Sequence, residues 1–198
     1  MSEIKNDDLI VINTEQQSQV VQQNAPVFPL VHETHPILKQ VLPEFDFSNS
    51  PVNPMEFASS LVETCKLHHG IGLSANQCGF PYRVFVMGSE DNFVAFFNPK
   101  VINTKGEVHM VEGCLSFPFL ALRITRPEEI DIEYQDFNGI TRTAKYNGLS
   151  ARCFLHELDH MNGIVYTEKV KPVALQMGIQ KRNKLLKKLK ILKNFKIE

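Results

Sequence analysis

Leu149-Ser150-Ala151-Arg152-Cys153-Phe154-Leu155-His156-Glu157-Leu158-Asp159-His160-Met161 reads as a single helix, with Gly163 placed to end it because glycine enters the left-handed conformation that closes helices. Residues four apart on a helix share a face, so His156 and His160 can present their imidazoles to one cation. Glu157 then stands beside that cation, where a carboxylate can take a proton from an activated water and pass it on. This division of labour is the one expected in metal-assisted hydrolysis.

Catalytic sites of this kind keep three protein ligands and leave a position for water or substrate, so a third ligand has to be found. Thermolysin-like proteases take it from a Glu about 20 residues after the second His, and here Ile179 and Gln180 occupy that neighbourhood. The metzincin pattern is matched through Gly163 and then breaks at Tyr166, where its third His would stand. Upstream, Cys114 lies in Glu112-Gly113-Cys114-Leu115-Ser116. Its thiolate with two imidazoles would make an N2S set for zinc or ferrous iron. A second unusual run is Gly70-Ile71-Gly72-Leu73-Ser74-Ala75-Asn76-Gln77. Its glycines allow a substrate backbone to come close, and the Gln77 amide can donate to an oxyanion.

In that order GIGLSANQ, EGCLS and HELDH resemble the three motifs of the peptide deformylases, and the likeness runs from about Phe28 to about Lys169. Three ordered motifs are far more specific than HExxH alone. The resemblance implies removal of the formyl group from formyl-methionyl nascent peptides. It implies one divalent cation on Cys114, His156 and His160, ferrous iron in the cell and zinc or nickel as isolated. It gives proton transfer to Glu157 and oxyanion stabilisation to Gln77 and the Leu115 backbone N–H. It also implies an ion pair between Arg126 and Glu112 that braces the Cys114 loop. An apolar methionine pocket is expected from Ile71, Leu149, Cys153 and Phe154, with Gly72 leaving room for the substrate backbone. Cys153 faces the same side of the helix as His156, either as a pocket wall or as a fourth ligand. The resemblance favours the wall, since a closed site could not activate water. Two residues depart from the usual pattern: Ser74 stands where Ala is usual, and Leu155 where Gln commonly precedes the HExDH run. Residues 117–122, Phe-Pro-Phe-Leu-Ala-Leu, read as an unusually apolar loop beside the peptide groove.

With 198 residues, 43% apolar and 22% charged, the chain can fill one core and is not a wholly disordered polymer. No apolar run approaches the roughly 18 residues that span a bilayer, so a soluble, non-membrane protein is expected. Four cysteines do not demand disulfides in a chain of this size. The N-terminus shows no secretory apolar core, and no Arg precedes Arg83, which points to the cytoplasm. Charge is uneven: residues 181–198 hold eight of the 21 basic and one of the 22 acidic residues, so the tail carries +7 and the remainder −8.

Along the chain, residues 1–25 are polar and Gln-rich and read as a flexible extension. Residues 26–170 form the catalytic domain and 171–198 a basic C-terminal helix. A short helical or turn segment is expected over 35–47, and a helix over 54–69 on Phe57, Leu61 and Cys65. Strands are expected at 82–87, 93–97, 108–111, 130–134 and 141–146, with Asn138-Gly139 turning the last hairpin. A further helix over 172–193 should carry Leu185, Leu189 and Leu192 on one side and lysines on the other. The fold class is therefore α+β: antiparallel sheets around a central metal-binding helix, with a C-terminal helix.

The basic tail reads either as a solvated helix face or, by the resemblance, as a contact with ribosomal RNA; the protein itself is expected to be a monomer. Two rival functions stand beside the deformylase. A zinc endoprotease lacks its third ligand downstream, and a structural metal protein closed by Cys153 gives Glu157 and Gln77 no role. His68 and His69 read as helix-end residues, favourable against the C-terminal dipole.

Overall fold

The computed structural model describes residues 25–194, with side chains to Lys190. The expected extension over 1–25 falls almost wholly outside the described residues, as does the side chain of Leu192.

Helix α1 (Pro54–Leu67) starts as its sequence dictates. Asn53 accepts from the backbone of Met55 and Glu56, and Pro54 occupies the first turn, where its missing N–H costs nothing. Seven strands follow: β1 (Gly72–Ser74), β2 (Val84–Ser89), β3 (Asn92–Lys105), β4 (Val108–Cys114), β5 (Phe117–Arg126), β6 (Glu129–Gln135) and β7 (Thr141–Asn147). Helices α2 (Gly148–Met161) and α3 (Pro172–Asn194) complete the chain. β1, β2, β3, β6 and β7 lie in that order in one five-stranded antiparallel sheet, and β4 pairs with β5 alone. The fold is α+β, as the hairpin-linked strands suggested.

The continuous apolar run of β2 has a direct explanation. Val84 and Val86 of β2 join Phe93, Ala95 and Phe97 of β3 against α1. Phe85, Met87, Val94 and Phe96 point the other way, against Ala151, Cys153, Phe154 and Met161 of α2. Successive strand residues face opposite sides, so a sheet covered on both faces loses its polar alternation. Burying side chains of this size stabilises by about 1.5–3 kcal/mol each. α2 is thus one of two layers on the sheet, with α1 on the far side.

A third core lies under the separate hairpin, where Leu120, Leu122 and Ile124 of β5 meet Ile37, Leu38 and Tyr166. α3 docks there, with Leu175 packed on this cluster and Gly178 so close that a Cβ would stand 2.7 Å from Leu122 Cδ2.

Several expectations need correction. Residues 117–122 are not a loop: they belong to β5, with Leu120, Leu122, Ile124 and Arg126 turned inward at alternate positions. β3 runs eight residues past the expected end, absorbing Pro99 through register shifts against β6. β1 was not anticipated. Of the short segment over 35–47, only Pro36–Lys39 is helical, as one 3-10 turn. On α3, Leu189 faces inward as expected, but Leu185 is 41% exposed, and the other inward-facing positions are Leu175, Gly178, Arg182 and Leu186. Arg182 pairs with Glu33 at 2.5 Å, which turns that side inward.

Candidate metal centre and active site

Two pieces of chain distant in sequence converge on α2. The β4–β5 turn supplies Cys114, paired with Phe117 across the hairpin end. β1 and the 3-10 turn after it supply Ser74 and Gln77. The donor atoms of Cys114, His156 and His160 all lie within 4.8 Å of one another. Cys114 Sγ stands 3.3 Å from His160 Nε2, and Gln77 Nε2 donates to the same sulfur at 3.3 Å.

The two imidazoles are held in different ways. His156 Nδ1 meets Glu112 Oε2 at 3.1 Å, the carboxylate partner that commonly fixes a metal-ligating imidazole through its second nitrogen. His160 is 1% exposed. Burial, with the nearby charge of His156 and Arg126, holds its pKa well below the usual range and so favours the neutral ring that metals bind. Its Nδ1 has no hydrogen-bond partner among the described residues. A sulfur and two imidazoles this close, one braced by a carboxylate and one kept neutral, fit a divalent cation of the zinc or ferrous type.

Glu112 anchors the surroundings. Arg126 grips it with Nε on Oε1 at 2.6 Å and Nη2 on Oε2 at 2.9 Å. Arg152 Nη1 donates to Oε1 as well. Arg126 also reaches Asp159 Oδ2 at 2.7 Å, tying the hairpin to α2. Burial opposes the charge on Glu112, but hydrogen bonds from His156 and Arg126 outweigh it and hold the carboxyl at about 2. The expected Arg126–Glu112 pair is present. Arg152 was missed, since an arginine in a helix gives no sign that it will be buried.

Glu157 is 4% exposed, and its two oxygens differ. Oε2 accepts from Ser74 Oγ at 2.6 Å; Oε1 lies beside Gly72, where a Cβ would stand 2.6 Å from it. Burial pushes this carboxyl up, opposed by His156 and by the Ser74 hydrogen bond. Gln77 is held at both ends: Oε1 accepts the Ser74 backbone N–H at 2.9 Å and Nε2 donates to Ser116 Oγ at 3.1 Å. Its amide nitrogen is thereby turned toward the thiol. Ser74 carried a signal in the sequence, a hydroxyl in an otherwise apolar strand beside the glycines.

A cavity of about 560 Å³ opens over these groups. Ile71, Gly72, Gln77, Leu115, Leu149 and Cys153 line it, as do Cys114, His156 and Glu157. Cys153 is not grouped with the metal donors; its Sγ donates to Ile71 O at 3.4 Å, and burial pushes its thiol pKa up. Phe154 departs from expectation. It is fully buried behind the pocket, with its ring against Phe85, Phe96 and Tyr146, because a residue next to Cys153 on a helix points about 100° away from it. His68, His69, Val111 and Phe119, not assigned to the cavity beforehand, also line it.

The family model described as polypeptide deformylase matches residues 27–176. A peptide deformylase of Rhizobium meliloti is 33% identical over 80% of this chain and 94% of its own length. One from Dictyoglomus turgidum is 41% identical over 55% of this chain and 71% of its own. Among solved structures, a peptide deformylase from Synechococcus elongatus in complex with actinonin superposes with a TM-score of 0.74 at 27% identity, covering 85% of this chain and 92% of that one. A Met-Ala-Ser-bound peptide deformylase from Acinetobacter baumannii gives 0.69 at 25% identity, covering 74% and 99%.

Proposed function

This chain belongs to the polypeptide deformylase family, and from that premise we propose how its residues divide the work of removing the formyl group from formyl-methionyl peptides. The reaction is metal-dependent hydrolysis that releases formate. We assign the cation to Cys114, His156 and His160, ferrous iron in the cell and replaceable by zinc or nickel. When bound, such an ion supplies Lewis acidity, polarising a carbonyl oxygen and acidifying water.

Glu157 is the proton carrier. With Oε2 occupied by Ser74, Oε1 is the oxygen that receives the proton of the attacking water. As the C–N bond breaks, the same oxygen returns that proton to the amine, leaving formate and a free N-terminal methionine. Gln77 Nε2 and the Leu115 backbone N–H are the donors to the formyl oxygen as charge grows there. Each such donor is worth about 2.7–4 kcal/mol in the barrier. Ile71, Leu149 and Cys153 form the methionine pocket, Gly72 admits the substrate backbone, and Phe154 supports the wall from behind. A formyl carbon bears only hydrogen, so a tight cavity excludes ordinary amides by shape. Met-Ala-Ser, bound in the Acinetobacter baumannii relative, is the product type this cavity would release.

We further propose a catalytic domain over 26–170 and a basic helix over 171–198 that meets ribosomal RNA. The enzyme would act as a cytoplasmic monomer on emerging chains. No helix among the described residues is long and apolar enough to cross a membrane.

The observation that carries the assignment is the meeting of three donor atoms within 4.8 Å beside a buried carboxylate. The test is formate release from formyl-Met-Ala-Ser, run with casein cleavage and metal analysis. Formate without casein cleavage, at one metal per chain, is expected. Casein cleavage without formate would make the site a protease, and bound metal with neither activity would make it structural.

A further inference from the structure

Phe119 lies within β5 with φ of 65°, in the left-handed region where a bulky side chain is strained. Its neighbours explain what holds it there. Phe117 packs edge-on against the Tyr166 ring at 5.7 Å. Leu120 is buried, and its carbonyl accepts from Tyr166 Oη at 2.8 Å. With residues on both sides fixed to Tyr166, the intervening backbone throws Phe119 outward. Its side chain lines the same cavity as Cys114 and Glu157, yet Phe119 remains 56% exposed. Among the described residues it makes no ring contact. Val111 on the paired strand, also lining the cavity, is 59% exposed. A strained aromatic held open at a cavity is a surface waiting for apolar cover. The segment of substrate able to reach it is the one that follows the methionine out of the cavity.

We infer that Phe119 is a specificity-determining residue that favours formyl-methionyl peptides whose next residues are aromatic or large and aliphatic. The inference rests on the deformylase reading of the cavity.

The experiment compares kcat/KM for formyl-Met-Phe-Phe and formyl-Met-Ala-Ala, using metal-loaded wild type, Phe119→Gly and Phe119→Leu. Wild type should prefer the phenylalanine peptide by at least about fivefold, the scale of one aromatic contact. In Phe119→Gly the ratio should fall toward one through loss on the phenylalanine peptide, with an intermediate ratio in Phe119→Leu. Glycine adopts a positive φ without strain, so the thermal midpoint of Phe119→Gly should be no lower than that of wild type. A wild-type ratio near one, or an equal fall for both peptides in Phe119→Gly, would overturn the inference. Absence of formate from either peptide with the wild-type enzyme would instead overturn the deformylase reading.

Discussion

Ser74 Oγ donates to Glu157 Oε2 at 2.6 Å, so a strand hydroxyl fixes a helix carboxylate 83 residues away. The same hydroxyl lies 3.3 Å from the Glu157 carbonyl oxygen, which registers β1 against α2. Ser74 is fully buried, so the carboxylate has no water to replace this partner. Removing the hydroxyl in Ser74→Ala should let the carboxylate swing. A charge-assisted hydrogen bond contributes about 1.5–3 kcal/mol, so kcat should fall by about tenfold or more, while KM for formyl-Met-Ala-Ser stays within a factor of two of wild type. Ser74→Thr, which keeps the hydroxyl, should recover most of the loss. An unchanged kcat in Ser74→Ala would remove Ser74 from the mechanism.

Gly72 tests the same geometry from the other oxygen. A Cβ there would lie 2.6 Å from Glu157 Oε1 and 2.7 Å from Cys153 Sγ, closer than any Cβ sits, so these two side-chain ends must shift. Gly72→Ala should therefore displace the proton carrier by about an ångström and lower kcat by about 100-fold. Metal content and thermal midpoint should move little. Near-normal turnover in this variant would place the proton transfer elsewhere.

Glu157 and Cys114 should fail differently. In the proposed roles Glu157→Ala removes a proton carrier and no ligand, so metal should stay near one equivalent while formate release is abolished. Cys114→Ser replaces a thiolate with a hydroxyl, a much poorer ligand for zinc or iron, and should lose metal and stability together. Metal analysis beside the formate assay separates the two, and a full equivalent of metal in Cys114→Ser would exclude Cys114 as a ligand.

Much of this site was legible before any coordinates, because its chemistry is concentrated in short runs. HELDH, EGCLS and GIGLSANQ each carry groups within a turn or two of chain; helix geometry says which groups of HELDH face together, and the resemblance of the three ordered runs to the deformylase motifs implies that the other two join them. What escaped lies in long-range relationships. The inward side of β5 follows a clean alternation, Leu120, Leu122, Ile124 and Arg126, but Pro118 and the run of apolar residues hid it, and its last inward position holds a charge. Three-residue β1 is too short to show a period; it exists because β2 supplies its hydrogen bonds. Arg152 is buried because Glu112, 40 residues earlier, is there to meet it. The side of α3 that packs was misread because Arg182, a charged residue, turns inward to Glu33.

The Glu112 cluster predicts a pH dependence of stability. The folded carboxyl is held at about 2, below its ordinary value of about 4.5. Its contribution is therefore complete above the unfolded pKa and is lost as pH falls from there through about 2. Urea unfolding in the presence of chelator, so that metal release does not intervene, should show Glu112→Gln less stable at neutral pH. The deficit should be about 3–5 kcal/mol, the cost of leaving buried Arg126 and Arg152 short of a charge. The gap between variant and wild type should close as pH falls below about 4.5. A gap constant from pH 7 to pH 2 would mean that packing, not the ion pairs, makes Glu112 important.

The outward side of α3 settles how to test the proposed ribosome contact without harming the enzyme. Lys187, Lys188 and Lys190 are exposed and make no ion pair among the described residues, so changing them disturbs no internal partner. Arg182, bound to Glu33, belongs to the docking side and should be left alone. Reversing the three lysines to Glu should leave turnover of formyl-Met-Ala-Ser and the thermal midpoint close to wild type. Ribosome binding, being phosphate-dominated, should weaken by an order of magnitude or more at low salt. The slope of log affinity against log salt should become shallower by about 2–3, close to one for each lysine withdrawn from a phosphate. Equal affinity and equal slope for both proteins would make this side of α3 a solvated surface, and would leave the deformylase chemistry standing on Cys114, His156, Glu157 and His160 alone.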